Sequence, residues 1–140
     1  MISRTMRLLS SGGGSGGNGD PVRWGILSAG RIASDYVKAM SVTDGAVASA
    51  IAARSPASAR EFAARHSLPS AAVRETYGDL LADPNVDVVY VGTIADAHYE
   101  LAKESLMAGK ATVVEKPMGL SLGEVEGLVD IARERNVFLM

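Results

Sequence analysis

The stretch Val22-Arg-Trp-Gly-Ile-Leu-Ser-Ala-Gly-Arg-Ile-Ala33 joins a short apolar run to a turn of small residues and to the beginning of a helical pattern. The run Val22–Leu27 predicts a short buried strand. From Arg31 to Met40, apolar residues return with the spacing of one helix face. The stretch therefore predicts a strand, a tight turn and a helix in direct succession.

The same alternation continues towards the carboxyl terminus. Helical patterns separate further apolar runs, which lie at residues 46–53, 72–73, 86–91, 111–114 and 137–140. The run at 86–91 is almost continuous, which is typical of a parallel strand covered on both faces. Alternation with short connections predicts an α/β fold of the Rossmann type, a doubly wound parallel sheet of about six strands with helices on both faces.

Composition restricts the function classes. The chain has 140 residues, enough for one domain, and a formal net charge of −2. Without a basic surplus we expect no nucleic-acid partner. The sequence has no cysteine and only two histidines, so thiolate metal sites are excluded and a protein-ligated zinc site is not expected. No apolar run approaches the roughly 20 residues that span a bilayer, so we expect no membrane segment.

Residues 1–20 differ from the rest of the chain. Their second half is almost entirely glycine and serine, a composition that buries too little surface to offset the entropy of ordering. We predict a disordered tail at 1–20 and a folded domain at 21–140. Arg4 and Arg7, with no acid nearby, leave two interpretations open. One is a mitochondrial or plastid transit peptide, and the other is an ordinary tail or linker on a cytoplasmic protein.

The turn after the first strand matches the dinucleotide-binding fingerprint Gly-x-Gly-x-x-Gly/Ala, with Ser28, Gly30 and Ala33 at its three marked positions. A side chain at Gly30 would hold a pyrophosphate away from the N–H groups of the helix start. Ser28 departs from the fingerprint, and it either weakens the tight turn or donates its hydroxyl to a phosphate. The motif alone also fits a plain strand–helix turn, but its place in the first βαβ unit favours a dinucleotide.

The end of the second strand, about 24 residues after Gly30, indicates which dinucleotide is bound. NAD-binding folds usually carry Asp or Glu there, to accept hydrogen bonds from the ribose hydroxyls, whereas this chain has Arg54-Ser55. The Arg54 guanidinium can pair with a 2′-phosphate, and Ser55 can donate to the same group. The pair favours NADP over NAD, although a solvated arginine that opens a helix would look the same.

Further candidate residues follow the later strands, at the edge where parallel sheets bind ligands. Thr93 is placed to contact the cofactor near its ribose or nicotinamide, and His98, at the start of the next helix, is expected to position rather than to catalyse. Lys116 can serve as a hydrogen-bond donor or proton relay beside the nicotinamide. The alternative is a purely structural Lys-Pro turn, in which Pro117 is cis or trans.

Taken in order, these motifs resemble the glucose–fructose oxidoreductase / inositol dehydrogenase / MocA family. The matching features are Gly30-Arg-Ile-Ala33, Ala53-Arg-Ser55, residues 83–90 with Thr93 and His98 behind them, and Gly109-Lys110 followed by Glu115-Lys-Pro117. The similarity covers residues 22–140. Residues 24–28 and 137–140 are most similar to the branch of NADP-dependent trans-dihydrodiol and D-xylose dehydrogenases. Ser28 and Ile94 depart from the pattern, since many members have glycine and proline at these positions.

The resemblance implies hydride transfer between a diol or sugar carbon and NADP, with Lys116 as the catalytic residue that orients or deprotonates the substrate hydroxyl. The implied cofactor-binding residues are Gly30, Arg31, Arg54 and Ser55 for the phosphates, Thr93, His98 and Glu115 around the nicotinamide ribose, and in addition Ser28, Ile32 and Lys116. No metal ligand is implied.

In that family an α+β half holds the substrate, supplies the partner acid or base, and usually forms the dimer interface. We therefore expect a chain that is truncated at its carboxyl end and lacks the substrate domain. Such a chain alone should turn over little substrate, because half of the site is missing. A homodimer is expected only where the second half is present. The alternative function is a non-catalytic NADP(H)-binding module or regulatory fragment.

Overall fold

Parallel strands alternate with helices throughout the described part of the chain. The computed structural model describes residues 19–140, so the predicted tail lies almost wholly outside it. The strands are β1 (Val22–Leu27), β2 (Ala46–Ala52), β3 (Val88–Val91) and β4 (Ala111–Val114). The helices are α1 (Arg31–Ser41), α2 (Pro56–Arg65), α3 (Tyr77–Ala82), α4 (Ala95–Met107) and α5 (Leu122–Arg135), and a short 3₁₀ turn spans Ser70–Ala72.

The strands form one parallel sheet in the order β2-β1-β3-β4. Leu27, the last residue of β1, aligns with Ala52 on one side and with Val91 on the other. The predicted Rossmann-type α/β fold is therefore confirmed. Because the chain runs outwards from β1 first to one side and then to the other, the sheet has its switch point between β1 and β3.

The described part contains four strands, fewer than the six or so that the sequence predicts. Residues 72–73 contribute only a parallel bridge between Val73 and Ile51, because the 3₁₀ turn takes up the residues before Val73. The segment 137–140 runs beside β4 and exchanges backbone hydrogen bonds with Thr112 and Val114, but only Leu139 is aligned as a bridge. Both predicted strands are present as pairing contacts that are too short to count as strands.

Helices cover both faces of the sheet. On one face, α1 and α2 pack through small and aromatic side chains such as Ala33 and Phe62 onto Ile26 and Ile51. On the other face, α3, α4 and α5 pack through leucine and alanine onto the alternate strand residues, among them Leu27. Neighbouring residues of β1 thus enter different cores, as the alternation of a strand requires. Burial of these side chains fixes the register of every strand.

The amino-terminal edge of the sheet carries a network of charged groups whose partners are all within the chain. The Arg23 guanidinium donates from Nε and Nη2 to the two carboxylate oxygens of Asp87, at 3.0 and 2.8 Å. Lys110 Nζ, half-buried, donates to the backbone carbonyls of Asp83 and Val86 at 2.7 and 2.8 Å. We call Arg23, Asp83, Asp87 and Lys110 the amino-edge network; it ties the turn before β3 to β1 and β4.

Candidate functional site

A cleft of about 860 Å³ opens at the carboxyl ends of β1, β2 and β3, over the switch point of the sheet. Its volume lies within the range that cofactor sites usually have. The residues that line it come from the three loops after these strands, from the first two turns of α1 and α4, and from the first turns of α2 and α3: Ser28, Ala29, Gly30, Arg31, Ile32, Asp35, Ala53, Arg54, Ser58, Tyr77, Gly92, Thr93, Ile94, Ala97 and Leu101.

The floor of the cleft is the amino terminus of α1. This helix begins at Gly30 without a side-chain cap and without an acidic residue in its first turn. By contrast, α2, α3 and α5 begin with side-chain caps from Ser55, Thr76 and Ser121. The backbone N–H groups at the start of α1 are thus left for another acceptor, and the positive end of the helix favours an anion there.

Ser28 has an unusual backbone conformation, with φ at 145°, a region that L-residues rarely adopt. Its Oγ accepts a hydrogen bond from the Gly30 N–H at 2.9 Å, so the hydroxyl stabilises the turn that glycine would form in the usual fingerprint. A Cβ built on Gly30 would lie only 3.1 Å from the same oxygen. The serine side chain thus takes up the space beside Gly30, and its hydroxyl proton is left to donate elsewhere.

Arg54 lies at the rim of the cleft beyond β2. Its side chain is exposed, and within residues 19–140 its guanidinium has no hydrogen-bond or ion-pair partner. The three residues before it are buried and apolar, so no carboxylate stands at the end of β2. Among the lining residues of the cleft, the one acidic side chain is that of Asp35 on α1, whose carboxylate lies 3.6 Å from Lys38 Nζ. The β2 end of the cleft therefore presents a free positive charge.

Ser55 stands beside Arg54 but does not line the cleft. It caps α2, because its Oγ accepts a hydrogen bond from the Ser58 N–H at 3.2 Å and lies 2.8 Å from Ser58 Oγ. Ser58, one helical turn further on, is the serine that faces the cleft. Ser58 was not among the predicted site residues, although the Ser-x-x-Ser spacing after Arg54 places both hydroxyls on the same first turn.

Tyr77 is a second lining residue that was not predicted from the sequence. It is the first residue of α3, directly after the Thr76 cap, and its half-buried ring borders the cleft on the Arg54 side. Burial raises the pKa of its phenol, and the positive charge of Arg54 opposes that rise. The ring is therefore a neutral aromatic wall next to a cation. No sequence motif indicates this, because α3 reaches the cleft only through the fold.

Thr93 and Ile94 line the opposite end of the cleft, after β3. His98 lies behind them, almost fully buried at 2% exposure. Its ring nitrogens lie 2.7 Å from the Pro117 carbonyl oxygen and 3.1 Å from that of Thr93. His98 therefore bridges the loops after β3 and β4 instead of reaching into the cleft.

The Glu115-Lys116-Pro117 turn follows β4, next to the β3 end of the cleft. Glu115 accepts a hydrogen bond from the Tyr90 hydroxyl at 2.8 Å, and the Lys116–Pro117 peptide is cis. Lys116 is exposed, and within residues 19–140 its ammonium group has no partner. Neither Glu115 nor Lys116 borders the cleft itself. The structure thus brings six predicted residues to the cleft (Ser28, Gly30, Arg31, Ile32, Arg54 and Thr93) and leaves Ser55, His98, Glu115 and Lys116 at its margin.

The cleft fits a dinucleotide in three respects. The uncapped start of α1 offers N–H donors to a pyrophosphate, and the absence of a Cβ at Gly30 lets that group approach the backbone. Arg54 and Tyr77 offer a charge and a ring at one end. At the other end, the apolar side chain of Ile94 and the residues Gly92 and Thr93 line the cleft. Within the described residues no group of three potential metal ligands occurs, and no helix has the length and apolarity to cross a membrane.

Comparison with known proteins agrees with this geometry. Residues 22–140 match the family described as "Oxidoreductase family, NAD-binding Rossmann fold" (GFO_IDH_MocA). The trans-1,2-dihydrobenzene-1,2-diol dehydrogenase of Sus scrofa is 42% identical over 121 residues, which cover 85% of this chain and 36% of the relative. The chain thus spans about a third of the length of the curated relatives that it matches.

Two solved structures illustrate the fold match. A 3-ketoreductase from Actinomadura kijaniata in complex with NADP is 34% identical, with a TM-score of 0.80 over 86% of this chain and 38% of that one. An NAD-binding protein from Listeria innocua is 30% identical, with a TM-score of 0.78 over 86% of this chain and 35% of that one. The chain belongs to the Gfo/Idh/MocA oxidoreductase family, and the part described here is its NAD(P)-binding Rossmann domain.

Proposed function

We propose that this domain binds NADP in preference to NAD and serves hydride transfer between that cofactor and a small diol or sugar. The observation that carries the cofactor preference is the unpartnered Arg54 guanidinium at the end of β2, where no carboxylate is present. A 2′-phosphate offers the charge and oxygens that a guanidinium binds in a bidentate manner. A carboxylate at the same place would instead repel it.

The substrate class rests on the relatives. The matched protein from Sus scrofa is named a trans-1,2-dihydrobenzene-1,2-diol dehydrogenase, and the NADP complex from Actinomadura kijaniata is a 3-ketoreductase. Both names describe chemistry at a carbon that carries a hydroxyl or a carbonyl group. The cofactor, when bound, supplies the hydride acceptor or donor. The residues of this chain would bind its phosphates at α1 and Arg54 and hold its other end against Thr93 and Ile94.

Lys116 is the proposed catalytic residue. It follows β4 next to the Thr93 loop, and its ammonium group has no partner among residues 19–140, so its Nζ is available to a substrate hydroxyl at the margin of the cleft. There it would orient that hydroxyl, or hold the proton that leaves as the carbon is oxidised. A substrate-binding half would complete the site from above.

The alternative is a domain that binds NADP(H) without catalysis. The observation in its favour is that Lys116 does not border the cleft, while the phosphate-binding end is formed within this chain. The two functions differ in turnover. NADP-dependent oxidation of trans-dihydrodiols or D-xylose that disappears in Lys116→Ala, with NADPH binding unchanged, identifies the enzyme. Binding without turnover by any form of the protein identifies the module.

The cofactor test is a fluorescence titration with NADPH and NADH. We expect Arg54→Asp to weaken NADPH binding by about 100-fold, because a charged hydrogen-bonded pair is replaced by a repulsion, and to leave NADH binding unchanged or improved. Competition by adenosine 2′,5′-bisphosphate, compared with 5′-AMP, isolates the contribution of the 2′-phosphate. Arg133→Ala, an exposed arginine on α5 away from the cleft, is the matched control. Equal losses for both cofactors would contradict the role of Arg54.

A further inference from the structure

Tyr90 lies beneath the two loops that form the β3 and β4 end of the site. It is a β3 residue that is 1% exposed, on the face of the sheet covered by α1 and α2. A buried phenol hydroxyl needs a hydrogen-bond partner, and here the partner is a carboxylate oxygen of Glu115 at 2.8 Å. A core side chain of β3 is therefore joined to the turn that carries Lys116.

Glu115 transmits this contact to Lys116. One carboxylate oxygen accepts the Tyr90 hydroxyl, and the other accepts the backbone N–H of Lys116 at 3.3 Å. Both carboxylate oxygens of Glu115 thus accept hydrogen bonds within the chain, one from the core residue Tyr90 and one from the backbone of the turn. Burial and the neighbouring Glu115 raise the pKa of Tyr90, so the phenol remains the donor and the carboxylate the acceptor.

The Tyr90 ring supports the second loop as well. A Cβ on Gly92 would lie 2.5 Å from Cε1 of that ring, so the Gly92 backbone rests directly on it. The ring also stacks on Tyr36 of α1, with centroids 3.9 Å apart and planes 10° apart. The ring therefore contacts both α1 and the loop after β3, and these contacts do not depend on Glu115.

We propose that Tyr90 is a positioning residue that sets Lys116 relative to the Thr93 loop through its hydrogen bond to Glu115. The Tyr90 side chain contacts the Thr93 loop at Gly92 with its ring and the turn that carries Lys116, at Glu115, with its hydroxyl. The buried Tyr90 side chain thus determines how the two loops are positioned relative to each other. The proposal rests on the proposed function only for the catalytic role of Lys116. The position of the Lys116 turn can be tested in the chain without nucleotide.

The test is the ¹⁵N order parameter of the Lys116 amide in the chain without nucleotide. We expect a value of about 0.85 in the wild type and a fall towards about 0.6 in Tyr90→Phe, because the turn loses its tie to the core. Tyr36→Phe is the matched control: it removes a hydroxyl from the stacked ring, and that hydroxyl has no hydrogen bond within the described residues. An unchanged value in Tyr90→Phe, or an equal fall in Tyr36→Phe, overturns the proposal.

A double-mutant cycle separates positioning from general stability. Glu115→Ala should lower the Lys116 order parameter as Tyr90→Phe does, and the double variant should lower it no further, since both changes break one path. Additive losses would show that the two residues act independently, contrary to the proposal. In a turnover assay, Tyr90→Phe should lower kcat about tenfold while changing KM for NADPH less than about twofold. Failure of NADPH to bind would overturn the proposed function and leave the order-parameter test standing.

Discussion

The two edges of the sheet use their charges in opposite ways. At the amino-terminal edge, Arg23 and Lys110 are held by Asp87 and by backbone carbonyls, at distances of 2.7–3.0 Å. At the carboxyl edge, Arg54 and Lys116 extend into solvent without a partner in the described residues. The contrast shows which charges stabilise the fold and which are available to a ligand, because unpaired cations beside a cleft contribute little to stability.

The largest expected effect is a loss of stability when the ion pair at the amino-terminal edge of the sheet is broken. Asp87→Ala removes the carboxylate that binds Arg23 in a bidentate manner while Arg23 stays partly buried, and it should lower the free energy of unfolding by about 3 kcal/mol. Urea denaturation measures this. Glu61→Ala, which breaks the exposed pair with Arg65, is the control and should cost about 0.5 kcal/mol or less. Similar losses in the free energy of unfolding in both variants would mean that the burial of the Arg23–Asp87 pair adds nothing to its contribution to stability.

The next effect belongs to the carboxyl edge and leaves the fold intact. Gly30→Val places a branched side chain where a phosphate would approach the start of α1, and should weaken NADPH binding by about 30-fold. Gly30 is exposed and its φ of −81° suits an L-residue, but a new Cβ would lie 3.1 Å from Ser28 Oγ, so the free energy of unfolding should fall by no more than about 2 kcal/mol. Titration with NADPH tests the expected loss of affinity, and urea denaturation of the same variant tests the expected stability. Unchanged affinity would place the phosphates elsewhere.

A smaller effect is the loss of stability at low pH that Asp83, at the amino-terminal edge, should cause. Burial would raise the pKa of Asp83, but hydrogen bonds from the Asn85 N–H and from Arg74 outweigh it and hold the pKa below its usual value. The ionised group therefore stabilises the native state above the pKa of the unfolded chain, and this contribution is lost as pH falls below about 4. Between pH 5 and pH 3, wild type should lose more stability than Asp83→Asn. If the free energy of unfolding fell equally with pH in the wild type and in Asp83→Asn, this contribution of Asp83 would be contradicted.

The smallest effect sharpens the role of the first turn. Ser28→Gly relieves the backbone at φ 145° but removes the hydrogen bond to the Gly30 N–H. Each contribution is on the order of 1 kcal/mol and the two have opposite signs, so the stability should change by less than about 1 kcal/mol. Affinity for NADPH should stay within about threefold. A larger loss of affinity would show that the Ser28 hydroxyl itself contacts a phosphate.

The sequence predicted what depends on local pattern. The β1–α1 turn with its Gly30, the strand β3 within the apolar run at 86–91, and the cation at Arg54 follow from periodicity and from a fixed position after a strand. Contacts between distant segments were not predictable: Tyr77 reaches the cleft only because α3 packs beside β2, and Tyr90 meets Glu115 across 25 positions. Ser55 caps α2, as the Ser-Pro pair predicts, but that Ser58 and not Ser55 faces the cleft depends on how α2 packs, which spacing alone leaves open.

The order β2-β1-β3-β4 has a consequence for how such a domain can change. Adjacent strands lie about 4.8 Å apart, so Arg54 after β2 and Lys116 after β4 stand on strands roughly 14 Å apart. The residue proposed to select the nucleotide and the residue proposed to act on the substrate therefore lie on opposite sides of β1. Under that proposal, substitutions at the β2 end could change the cofactor preference without altering the residues after β4.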